Sequence, residues 1–139
     1  MASIRKETTI DAQPENVWAA IRDVGAAHTR LAPGFLIDCR LEADGNARVV
    51  TFANGLVARE LMVDVDDTAR RLVWAVVGGR LTHHNGSLQV FAEAGGSRVV
   101  WIADLLPNDL AGTIAGMMEQ GLRVMKPTLE AAQRARDAA

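Results

Sequence analysis

The 139-residue sequence contains one cysteine, Cys39. A lone thiol cannot close an intrachain disulfide, so the fold must be held by its core. Cys39 itself reads as a small buried residue, in a reducing, cytoplasmic setting. No basic run occurs, and a formal net charge of −2 with a pI near 5.9 leaves no electrostatic footprint for nucleic acid. No apolar stretch approaches the roughly 18 residues that a membrane span needs, and no signal peptide is expected. The serines Ser3, Ser87 and Ser97 lack a G-x-S-x-G setting, and no glycine loop of the phosphate-cradling kind is present. Metal chemistry is not expected, because the only histidines are His28 and the adjacent pair His83 and His84. Neighbours on a strand point to opposite faces and do not readily share one ion. No cofactor is implied.

A helical period is also missing between about Phe35 and Leu106, where apolar runs alternate between turn signals. At 49% hydrophobic and 23% charged, the composition is that of a globular chain long enough to bury a core. Ser3 to Asp11 is rich in β-branched residues and predicts a strand. Pro14 and Glu15 then suit the first turn of a short helix carrying Val17, Trp18, Ile21 and Val24, which ends near Gly25. A connector follows to Gly34. Asp44-Gly45, Asn54-Gly55, Asp66-Asp67, Gly78-Gly79 and Gly95-Gly96 each separate two strand-like runs, which predicts an antiparallel meander of six strands. With the N-terminal strand the sheet has about seven. After Pro107, with Asn108 or Asp109 as cap, Leu110, Ile114, Met117, Met118, Gly121, Met125 and Leu129 recur at three- and four-residue steps and predict a long amphipathic helix. Pro127 predicts a kink or break in it. No linker or repeat divides residues 1–139, so one domain is expected.

Hairpin arithmetic then carries an inward face from strand to strand. With two central residues per turn, Ile37 faces Phe52, Val50 faces Arg59, Leu61 faces Trp74 and Trp74 faces His83. The expected lining is Phe35, Ile37, Cys39, Val50, Phe52, Val57, Leu61, Val63, Leu72, Trp74 and Val76. A polar strip of Arg59, His83, Asn85, Ser87, Gln89 and Asp104 is embedded in it. Leu88, Val90 and Trp101 then form an outer apolar patch that would suit a homodimer. A single β-bulge near Gly79 or Gly95 exchanges the last faces, bringing His84, Leu88, Val90, Val99, Trp101 and Ala103 inside.

The opening residues Ile4 to Asp23 (I-R-K-E-T-T-I-D-A-Q-P-E-N-V-W-A-A-I-R-D) resemble the start of the START-like superfamily, also called SRPBCC. Trp101 to Leu129 resembles the close of its polyketide cyclase/dehydrase-like branch. The resemblance implies an α+β helix-grip fold, in which a curved antiparallel sheet of about seven strands surrounds a long C-terminal helix over a hydrophobic cavity. Its members carry lipids, sterols, polyketides or plant hormones, and some catalyse aromatic cyclisation or dehydration.

The expected function is therefore a binding protein for a small lipophilic or aromatic molecule. Phe35, Ile37, Phe52, Leu61, Trp74, Val76, Met117, Met118 and Gly121 would form walls, and Arg59, His83, Asn85 and Asp104 would orient the ligand. The alternative is a cofactor-free cyclase or dehydratase in which His83 or Asp104 moves a proton and Arg59 stabilises an enolate. A further alternative is an interaction protein whose core is filled.

Overall fold

The chain turns back on itself wherever its side chains favour a tight reversal. At Asp44-Gly45 and Asn54-Gly55 the glycines take φ of +76° and +89°, a region open to a residue without Cβ. The side-chain oxygens of Asp44 and Asn54 accept the amide hydrogens of Asn46 and Leu56, at 2.9 Å each. The computed structural model describes residues 1–139. Seven strands result: β1 (Ala2–Ile10), β2 (Leu36–Leu41), β3 (Ala47–Phe52), β4 (Val57–Asp66), β5 (Arg71–Val77), β6 (His83–Glu93) and β7 (Gly96–Leu106). They form one antiparallel sheet in the order β1-β7-β6-β5-β4-β3-β2. The first strand closes against the last, as the helix-grip arrangement requires.

Helix α1 (Pro14–Arg22) follows β1, and two short helical turns (Val24–Ala26 and Ala27–Leu31) occupy the connector. Val17, Trp18 and Ile21 of α1 join the same apolar cluster as Leu72, Val90 and Val99. Asp67 in the β4–β5 turn accepts hydrogen bonds from Trp18 Nε1 (2.9 Å) and Arg22 Nε (2.8 Å), which docks α1 over that end of the sheet. These bonds hold the Asp67 carboxyl below its ordinary range.

Helix α2 (Ala111–Asp137) lies across the inner face, burying Met118, Gly121, Leu122, Met125 and Leu129. It is held to β1 by Lys6 Nζ on Glu119 (2.7 Å), Lys126 Nζ on the Thr9 carbonyl (2.6 Å) and the Asp11 amide on Glu130 (2.8 Å). The expected break at Pro127 does not occur. Pro127 is exposed, so the Arg123 carbonyl it leaves unbonded lies on a wet face, and the Thr128 hydroxyl donates to the Val124 carbonyl at 2.8 Å. Nor do Asn108 and Asp109 cap the helix with their side chains. They form a 3-10 turn with Leu110 that leads into α2. No helix is long and apolar enough to cross a membrane.

Four irregularities decide which side chains face α2. Between Leu36 and Asp38 the register shifts, so Leu36 pairs with Phe52 and Ile37 is turned outward, 57% exposed. Across the β3–β4 turn Val50 pairs with Ala58 rather than Arg59, so Glu60 points inward and Arg59 and Leu61 outward. Met62 keeps that register opposite Trp74, and a second shift between Met62 and Asp64 then brings Val65 opposite Leu72. The β5–β6 connection then places Trp74 opposite Gly86 instead of His83. A slip of an odd number of residues inverts a whole strand. His84, Leu88 and Val90 are therefore inside, and β7 follows with Val99, Trp101 and Ala103. His83, Asn85, Ser87, Gln89 and Asp104 lie on the other face. Val57 and Val63, expected within, are exposed, whereas Cys39, Val50, Leu72, Trp74 and Val76 hold the inward positions expected of them.

Candidate functional site

The site is built where two strands part. β5 and β6 stay paired only as far as Trp74 and Gly86. Beyond them Val76 to Leu81 splays away through Gly78 and Gly79, which take φ of +81° and +67°. The gap opens under the first turns of α2.

Three spaces with shared walls run inward from that gap. The outermost, about 190 Å³, is lined by Leu56 to Ala58, Val76 to Leu81, Leu110 of the 3-10 turn and the α2 side chains Thr113, Ile114 and Met117. The middle one, about 60 Å³, shares Val76, Leu81, Ile114 and Met117 with it and adds Phe35, Phe52, Trp74, Trp101 and Met118. The innermost, about 50 Å³, continues past the four aromatic rings to Arg48, Val50, Leu88 and Met125. By the space that one water requires, the middle chamber alone holds about four waters.

The aromatic walls depend on two glycines. Trp74 and Trp101 meet at 6.0 Å between ring centroids, and Phe35 meets Phe52 edge-on at 5.4 Å. A Cβ on Gly86 would stand 2.9 Å from Trp74 Cε2, and one on Gly121 would stand 2.8 Å from Trp101 Cζ3. The absent methyl groups are the room in which the two indoles lie.

The polar groups of the cavity form a row across the sheet, because Arg48 pairs with Glu60 and Glu60 with Val76 in the strand register. Arg48 Nε donates to Glu60 Oε1 at 2.8 Å, with both side chains more than nine-tenths buried. Arg48 Nη1 donates to the Val24 carbonyl (3.1 Å), and its guanidinium lies 6.0 Å from the Trp74 ring centroid. Freed from the β5–β6 ladder, the Val76 amide donates to Nδ1 of buried His84 at 3.1 Å. The neutral ring therefore carries its proton on Nε2. Burial, aided by the neighbouring His83, pushes the His84 pKa down to about 4 against a smaller opposing pull from Asp104, so the ring is uncharged at neutral pH. Glu60 Oε2 and His84 Nε2 make no hydrogen bond within the protein, and both residues line the middle chamber.

Of the residues expected from the sequence, Phe35, Phe52, Trp74, Val76, Met117 and Met118 meet in the cavity, with Gly121 beneath Trp101 and Phe35. The others do not. Arg59 binds Glu42 at the surface (2.8 and 2.9 Å), and Ile37, Leu61, His83, Asn85 and Asp104 share that outer side. The outer patch expected from Leu88, Val90 and Trp101 does not exist, since all three point inward. Glu60, His84 and Trp101 are the residues that uniform hairpin counting missed, while Arg48, in phase with inward Val50, lay on the counted face but outside the expected lining. For His84 and Trp101 the available signal was the glycine pair at 78 and 79, where a bulge exchanges the faces.

Comparison with known proteins bears on this geometry. Residues 1–130 match the family described as polyketide cyclase / dehydrase and lipid transport. An uncharacterised protein from Bacillus thuringiensis shares the fold with a TM-score of 0.81 at 18% identity, over 92% of this chain and 98% of that one. The protein XoxI from Bacillus cereus does so at 0.80 and 19%, over 99% of each chain. The crystal structure of Ara h 8.0201 does so at 0.73 and 13%, over 94% of this chain and 98% of that one. No protein of curated function matches the sequence.

Proposed function

The chain belongs to the polyketide cyclase/dehydrase and lipid transport family, and within it we propose a binding protein for a small lipophilic or aromatic molecule. One observation carries the reading. Of the twelve residues around the middle chamber, ten are hydrophobic and only Glu60 and His84 are polar, which is the make-up of a ligand pocket rather than of a packed core. Phe35, Phe52, Trp74, Met117 and Met118 form its walls, and the apolar opening at Val76, Leu81 and Ile114 admits the ligand. The test compares the native and denatured masses of the purified protein and titrates it with 2-methoxynaphthalene while following tryptophan emission. A co-purified mass lost on denaturation, or saturable quenching of Trp74 and Trp101, is expected. A clean apo mass with no quenching overturns the reading.

A second reading rests on the carboxylate and imidazole that line one chamber. In a cofactor-free cyclase or dehydratase, Glu60 accepts the proton from a carbon next to a carbonyl and His84 Nε2–H donates to the enolate oxygen. A linear poly-β-ketone incubated with the protein would then gain aromatic absorbance faster than in buffer. Equal rates with and without protein retire this alternative.

A further inference from the structure

We infer that the ligand enters with an uncharged hydroxyl leading, and that this hydroxyl sits between Glu60 and His84. The inference rests on the binding reading above and specifies the chemistry that the pocket selects. Four observations lead to it.

The first is charge. The two inner chambers hold one cation and one anion, Arg48 and Glu60, already in contact at 2.8 Å, while Arg80 lines only the outermost space. The guanidinium is further occupied by the Val24 carbonyl and by the face of Trp74. Inside the middle chamber an anionic head group would meet Glu60 with no free cation to balance it, and an ammonium would have to share a carboxylate that Arg48 already holds. An ion left unmatched in so buried a place is costly, so an uncharged head is selected.

The second is valence. Two polar positions around the middle chamber are unused within the protein: the acceptor Glu60 Oε2 and the donor His84 Nε2–H. A hydroxyl is the smallest uncharged group that both donates and accepts. A ketone or an ether satisfies His84 and leaves the carboxylate without a donor.

The third is placement. Glu60 pairs with Val76 from β4 and His84 accepts the Val76 amide from β6, so the two residues reach the chamber from either side of one residue. The fourth is shape. Behind the polar pair stand the rings of Phe35, Phe52, Trp74 and Trp101, and the wider outer space is mostly apolar, with Arg80 and Thr113 in its wall. A flat hydrophobic body therefore trails the hydroxyl toward the opening. The class is a phenol or other planar alcohol of one or two rings.

The experiment is calorimetric titration of the wild-type protein with three probes of one shape: 2-naphthol, its methyl ether and 2-naphthoate. Amide shifts of Val76, His84 and Gly86 report whether a probe occupies the chamber. The phenol is expected to bind at least about tenfold more tightly than the ether, the scale of a hydrogen bond to a charged acceptor, with the carboxylate weakest. Equal affinity of phenol and ether, or tightest binding of the carboxylate, overturns the hydroxyl inference while leaving the apolar pocket standing. Absence of binding by all three, with no amide shift, overturns both. In the double variant Arg48→Met/Glu60→Leu, which leaves no ion unpaired, the preference for phenol over ether should fall to within about twofold. Persistence of the full preference in that variant also refutes the assignment.

Discussion

Arg48→Met and Glu60→Leu, made singly and together, test whether the cavity is organised by one buried ion pair. At 2.8 Å and an effective dielectric near 20, the gross attraction is about 6 kcal/mol, most of it offset by the desolvation of both groups. Removing one partner leaves the other buried and unmatched, which typically costs 3–5 kcal/mol. Arg48 would keep the Val24 carbonyl and the Trp74 face, and the adjoining chambers admit water. The expected loss for Glu60→Leu is therefore at the lower end, about 3 kcal/mol, or roughly a 10 °C fall in Tm for a chain of this size. The double variant removes the uncompensated charge and fills the space with apolar atoms. It should return to within about 1 kcal/mol of wild type. Urea unfolding of all four proteins at pH 7 measures this, with m-values checked for constancy. A double variant as unstable as the worse single, or a single variant losing less than about 1 kcal/mol, would refute the reasoning.

Gly121→Ala should destabilise by about 1 kcal/mol despite the better helix propensity of alanine. Its methyl would stand 2.8 Å from Trp101 and 3.2 Å from Phe35, and overpacking of 1–3 kcal/mol exceeds the gain of about 1; a thermal melt of higher Tm than wild type would contradict this. Leu36→Ala should cost about 2–3 kcal/mol and Ile37→Ala less than about 1, because the bulge turns only Leu36 inward; equal losses in chemical denaturation would place the bulge elsewhere. His84, with its folded pKa depressed to about 4, contributes stability that is present above the unfolded value of about 6.5 and lost as pH falls from there toward 4. The loss amounts to roughly 2 kcal/mol after allowance for the solvent that reaches the chamber. His84→Phe should flatten the stability profile over that window, and an unchanged slope would show that the imidazole is not the group responsible.

Much of the architecture was legible because its signals are local. Turn chemistry at Asp44-Gly45 and Asn54-Gly55, proline at the start of α1 and the three- and four-residue spacing from Leu110 to Leu129 each act within a few residues. They supplied the strand count, the antiparallel order and the helix that the sheet holds. The apolar walls at Phe35, Phe52, Trp74, Met117 and Met118 followed from the same patterns.

Facing is a different kind of property. The sequence by itself determined which segments become strands and helices, and the pairing of Met117 and Met118 with an apolar sheet. Only the tertiary structure decided that Glu60 rather than Arg59, and His84 rather than His83, look into the cavity. The physical reason is that a strand has period two, so an odd slip at a bulge or turn exchanges its faces, and such slips are settled by packing between distant strands. Ile37 lies outside because Leu36 finds Phe52, and Arg59 lies outside because Glu60 finds Arg48 on a neighbouring strand. Those choices were made by partners across the sheet, and they also set the charge, the donors and the acceptors that a ligand meets.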